Sequence, residues 1–246
     1  MILKQAKTID FDKNKKYVFI VSMGAIEQHG PFLPLGTDSY CQDAVLKKAT
    51  EECPDAVFLP TLDITCSREH RGFPGTIWLE KSTMLLVLKD IVNSLSENAS
   101  DIILTSWHGG NISVIDQFMA DYGKVFPAIR FHHVNLDPPE IIEKTKEALG
   151  GPVDEHAGNS EISMMLASDE SLVQEPSSAY PKKKITADWS DNATIKDQAH
   201  DGIVDAHPAW IVSKKHGSYF IDLSAEHLKN EVLKVLNAAK TELRNL

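Results

Sequence analysis

The chain is poor in cysteine, in basic charge and in long apolar runs, and each shortage removes a class of protein. Its three cysteines, Cys41, Cys53 and Cys66, show no CxxC spacing. They are too few for a disulfide framework and suit a reducing cytosol. Lys and Arg total 25 against 35 Asp and Glu, for a formal net charge of −10. Such a chain lacks the basic face that neutralises phosphates, so neither nucleic acid nor an anionic membrane is expected as a partner. No stretch approaches the roughly 18 uninterrupted apolar residues of a membrane-spanning helix. The first residues lack the basic, then apolar, then small order of a signal peptide, so a cytoplasmic protein is expected. Internal repeats and low-complexity segments are also missing.

What remains is 246 residues, 42% hydrophobic, enough for one large α/β domain over residues 1–246. Short apolar runs alternate with longer helical patterns. Tyr17–Ser22 is a run of β-branched and aromatic residues up to its last position, as in a strand buried on both faces. Ala56–Leu59, Asp101–Ser106 and Ile129–Val134 read the same way. Helical spacing is expected over Ser39–Glu52, with Thr37 or Asp38 as N-cap, and over Ser82–Glu97 and Ile112–Val125. A further helix should run from Pro139 to Gly150, a short one should follow Asn159, and a last one should cover Ser224–Asn245. Strand–helix alternation implies a mainly parallel sheet with helices on both faces. Residues 170–220 are the least regular. They predict an elaborated loop region, with a hairpin near Ile211 and Tyr219 and a solvated turn at Lys182-Lys183-Lys184.

Open parallel sheets gather ligands at the carboxyl ends of their strands, and the polar clusters obey that rule. The first strand runs into Glu27-Gln-His29 and then Asp38; the third runs into His108-Gly-Gly-Asn111. Glu27 and His29, two residues apart in an extended segment, can face one centre. Carboxylates with imidazoles suit Zn²⁺, Mn²⁺ or Fe²⁺. A later cluster, His156-Ala-Gly-Asn-Ser-Glu161, opens a helical run. Each residue alone has a plainer reading: Asp38 and Glu161 as helix-terminal charges, His108 as part of a tight turn. Of the other histidines, one of His132 and His133 should be buried and paired within a strand, while His200, His207, His216 and His227 read as loop or surface residues.

The sequence resembles the creatininase family. The match lies in Gly24-Ala-Ile-Glu27-Gln-His29-Gly-Pro with Asp38, then His70-x-x-Phe-Pro-Gly-Thr76, then His108-Gly-Gly-Asn111, then His156-Ala-Gly-x-x-Glu161-x-Ser163, in the family's order. The resemblance implies a three-layer α/β/α fold with a mainly parallel central sheet and a binuclear metal site. In it, Glu27, Asp38 and His108 hold one metal and His29, Asp38 and Glu161 the other, with Asp38 shared. It implies hydrolysis of a C–N bond in a small-molecule amide by a hydroxide bridging two divalent ions, Zn²⁺ or Mn²⁺ with Fe²⁺ also compatible. His156 is the residue expected to serve proton transfer. A homo-oligomer, often a hexamer, is implied as well. Two departures stand out. Creatinine-hydrolysing members carry a glutamate where this chain has Gly110, and a tryptophan where it has Pro152. The wider family includes formamide deformylases and peptide-cleaving members, so both alternatives stay open, as does a metal-binding protein without turnover. The Phe73–Thr76 loop and Trp189 or Trp210 are the candidate pocket walls.

Overall fold

The computed structural model describes residues 1–190 and 192–244, without the side chains of residues 242–244. Four strands, β1 (Tyr17–Met23), β2 (Ala56–Phe58), β3 (Ala99–Ser106) and β4 (Arg130–Asn135), form one parallel sheet in the order β2-β1-β3-β4. Ile20 lies opposite Ile103 across the β1–β3 register. Successive side chains of a strand face opposite sides, so β1 divides its residues between two cores. Val18 and Ile20 join the core formed with α1 (Thr37–Glu52), α5 (Asn159–Asp169) and α7 (Lys214–Arg244). Tyr17, Phe19, Val21 and Met23 join the core formed with α2 (Lys81–Leu95) and α3 (Ile112–Tyr122). Leu149, from α4 (Pro139–Leu149), packs into the first of these. The result is the expected three-layer α/β/α arrangement. The apolar runs of β1 and β3 arise because neither face of these two central strands meets water.

In this strand order the chain leaves β1 towards β2 on one side and returns to β3 on the other. A crevice opens at such a switch point, beyond the carboxyl ends of β1 and β3. Both the Glu27–His29 segment and His108 follow those two ends.

Several expectations need correction. No hairpin forms near Ile211 and Tyr219. Instead α7 starts at Lys214, ten residues before the expected Ser224. The residue that disguises this helix is Gly217, whose bare Cα packs directly on the Ser163 carbonyl of α5. The expected end at Asn245 lies outside the described residues. The N-cap of α1 is Gly36, so Thr37 and Asp38 lie within the first turn. Lys182 is not a solvated turn residue: its side chain is 4% exposed and its ammonium is 2.7 Å from Asp154 Oδ2, above the face of Trp210. Neither strand histidine is fully buried, and both are paired, His132 with Asp101 and His133 with Asp116, each at 2.9 Å. His207 lies in a loop but is buried. Among the described residues no helix is long and apolar enough to cross a membrane.

Candidate metal centre

Glu27 and His29 are carried by the segment leaving β1, Asp38 by the first turn of α1, His108 by the end of β3, and Glu161 by the first turn of α5. The fold brings all five together. Asp38 stands between the two imidazoles, with Oδ1 3.5 Å from His29 Nε2 and Oδ2 3.5 Å from His108 Nδ1. Glu27 Oε2 is 3.3 Å from His108 Nδ1, and Glu161 Oε1 is 3.7 Å from His29 Nε2. Glu161 also serves the terminal role open to it, since its Oε2 accepts the Ala157 N–H at 2.6 Å.

Both carboxylate oxygens of Glu27, together with His29 Nε2 and Asp38 Oδ2, are buried without a hydrogen-bond partner among the described residues. Leaving one such atom bare costs about 1–3 kcal/mol, so four in one place call for a ligand. The donor set of hard carboxylate oxygens and imidazole nitrogens fits a divalent cation. His29, Asp38 and Glu161 offer ligand atoms within 4.8 Å of one another, and so do Glu27, Glu69 and His108.

The electrostatics agree. Burial opposes charge on His29, yet Asp38 and Glu161 outweigh it and raise its pKa well above the usual value. His108 is raised against burial in the same way by Glu27, Glu69 and Asp38. Asp38 is held down to about 2 because the neighbouring histidines overcome its burial. Burial pushes Glu27 up to about 7. Positive charge is therefore favoured at the nitrogens that face this centre.

The outer ring nitrogens fix how the imidazoles are presented. His29 Nδ1 donates to the Glu27 carbonyl at 3.2 Å, leaving its Nε2 lone pair for the centre. His108 Nε2 donates to the Cys66 carbonyl at 2.6 Å, leaving Nδ1. Such outer bonds set tautomer and ring direction in metal sites. His156, just ahead of α5, has its Nε2 2.8 Å from the Gln28 carbonyl and its Nδ1 3.8 Å from Glu27 Oε1.

The sequence reading did not single out Gln28, Glu69 or His70 as site residues. The Gln28 amide is 2.9 Å from His70 Nδ1 and 3.0 Å from the Gly202 carbonyl. His70 Nε2 in turn lies 3.2 Å from Glu27 Oε1. Burial and the neighbouring imidazoles hold His70 neutral. The available signal was the polar run Ser67-Arg-Glu-His70 after the second strand, another carboxyl end.

The centre opens onto a cavity of about 870 Å³, walled in part by Trp189, Asp137, Glu155 and Lys81. Trp189 is the pocket wall of the two candidates. Trp210 packs on Phe32 and donates to the Tyr180 carbonyl. The Phe73–Thr76 loop does not line the cavity either; Thr76 Oγ1 instead accepts the Gln28 N–H from beneath the site.

Comparison with known proteins bears on the family and the fold. A mycofactocin precursor peptide peptidase from Mycolicibacterium smegmatis is 38% identical over 101 residues, 39% of this chain and 41% of that protein. A creatinine amidohydrolase from Pseudomonas putida is 27% identical over 166 residues, 61% of this chain and 64% of that protein. The chain thus spans between about two fifths and two thirds of the length of these curated relatives. Among solved structures, a creatininase in its Mn form superimposes with a TM-score of 0.72 at 19% identity, covering 95% of this chain and 97% of that one. A creatinine amidohydrolase-like protein from Bacteroides fragilis gives 0.70 at 21% identity, covering 94% of each chain. These structural likenesses establish the shared fold. The family model described as "Creatininase: Creatinine amidohydrolase" matches residues 4–232, and the chain belongs to the creatininase family.

Proposed function

We propose that this protein is a metal-dependent amidohydrolase that cleaves a C–N bond in a small amide. The observation that carries the reading is Asp38, buried and turned with one oxygen to each of two imidazoles, beside two further buried carboxylates. Glu27, Asp38 and His108 would hold one divalent ion and His29, Asp38 and Glu161 the other. Ions held there would supply Lewis acidity towards a carbonyl and a nucleophile from water, whose pKa falls from about 16 to about 7 on such a cation.

The chain's own contribution is placement and proton traffic. Burial, with the charge of His29 adding to it, pushes His156 down to about 4, so the imidazole is neutral at pH 7. Its Nε2–H donates to the Gln28 carbonyl. Nδ1 then faces the centre with a free lone pair. His156 accordingly enters as a proton acceptor, and only afterwards returns the proton to the leaving nitrogen. Trp189 stands against His156 with ring centroids 6.3 Å apart and screens one side of the cavity.

The amide need not be creatinine. Position 110 is glycine and position 152 is proline, and the 38% identity to a peptide peptidase favours a peptide bond as the second reading. The proposal takes the enzyme as a homo-oligomer acting in the cytoplasm. Its test is Asp38→Asn, with metal content by elemental analysis and hydrolysis of creatinine, formylated aminopyrimidines and short peptides. Loss of both metals and of turnover is expected. Two metals and a normal rate in this variant would overturn the reading.

A further inference from the structure

We propose that Glu69 is a positioning residue for His108, clamping the outer edge of that imidazole so that Nδ1 stays aimed at the metal centre. The inference rests on the function proposed above and adds a residue to it.

His108 is nearly buried, and its two nitrogens face opposite ways. Nδ1 points to Glu27 and Asp38 at 3.3 and 3.5 Å. Nε2 points to the Cys66 carbonyl and to Glu69 Oε1, 3.1 Å away. The Glu69 side chain is 18% exposed. An acceptor oxygen in that place keeps the Nε2 proton where it is, which leaves Nδ1 as the ligating atom.

Two features of the local chain make room for this contact. Gly110 has no side chain, and a Cβ there would fall on Glu69 Oε1, on His108 Nε2 and on the Cys66 carbonyl. The carboxylate of residue 69 thus lies in space that any other residue at 110 would claim. The short turn Arg68–His70 also delivers His70 to Glu27 at 3.2 Å. One turn therefore braces two of the residues on the same metal position, His108 from behind and Glu27 from the side.

The test compares wild type with Glu69→Ala and Glu69→Gln, each stripped of metal and titrated with Zn²⁺ or Mn²⁺ against a competing chelator. Glu69→Ala should weaken one of the two sites by about 10–100-fold and leave the other. Glu69→Gln keeps an oxygen that accepts the Nε2–H and should hold affinity within about threefold. If Glu69→Ala does not fold, Glu69→Asp takes its place, because the shorter carboxylate cannot reach His108 and should weaken the same site. Unchanged affinity in Ala or Asp overturns the role. A Gln variant as weak as Ala overturns it too, in favour of direct ligation. Wild type that binds no metal would instead sink the hydrolase reading on which this rests.

Discussion

Lys182 donates to Asp154 Oδ2 at 2.7 Å where neither side chain is more than 4% exposed. Asp154 also accepts the backbone N–H groups of Asn159, Ala206 and His207. It sits two residues before His156, so Lys182 and the Ala206-His207 backbone are tied to the turn that presents that imidazole. Removing one partner of a buried pair strands the other charge, at a cost of about 3–5 kcal/mol. Lys182→Met should fall at the low end, near 3 kcal/mol, because three N–H groups still face Asp154. Denaturant unfolding measures this; a loss under about 1 kcal/mol would show that the pair contributes little.

His156→Ala separates proton transfer from ligation. The wild-type imidazole is close enough to Glu27 and His29 to join a metal-ligating group. A residue that only shuttles protons should leave metal content intact while kcat drops by about 10²–10⁴. Loss of a metal in this variant would make His156 a ligand.

Gly217 sets propensity against packing. Replacing a glycine inside a helix by alanine normally stabilises by about 0.8–1.0 kcal/mol. Here the added methyl would drive into the Ser163 carbonyl of α5, and overpacking costs about 1–3 kcal/mol. Packing should win, so Gly217→Ala is expected to lower the thermal midpoint. A raised midpoint would mean α7 can slide away from α5 at no cost.

Asp101 makes an acid-sensitive contribution to stability. Burial works against its charge, but His132 and Arg130 outweigh it and hold its pKa down to about 2. The folded value is depressed below the ordinary carboxylate value of about 3.9. The stabilisation is therefore present above that value and fades as pH falls towards 2. Unfolding followed from pH 6 to pH 2 should show a drop in this window that is smaller in Asp101→Asn; parallel curves would exclude the linkage.

The strands and most helices were legible in the amino-acid sequence because each rests on local signals, whereas the set of five ligand candidates came from the resemblance to the creatininase family. Continuous apolar runs such as Tyr17–Ser22 mark strands covered on both faces. Polar clusters after them mark carboxyl ends, where a parallel sheet collects its chemistry. Gly150, placed at the end of α4 by its sequence context, does terminate it in the left-handed conformation that glycine adopts freely.

What tertiary structure alone decided were the contacts made across long chain separations. Glu69 was just another acidic residue until Gly110 let it reach His108. Lys182 looked solvated because a lysine triplet reads as surface, and its burial is made tolerable by Asp154, Asp205 and the face of Trp210, all distant in sequence. Gly217 masked the start of α7 for the same reason: its cost in an isolated helix is local, whereas its benefit lies in the close approach of a second helix. Periodicity and spacing record what a residue does with its near neighbours; a buried charge or a bare Cα is explained by the partner that the fold delivers.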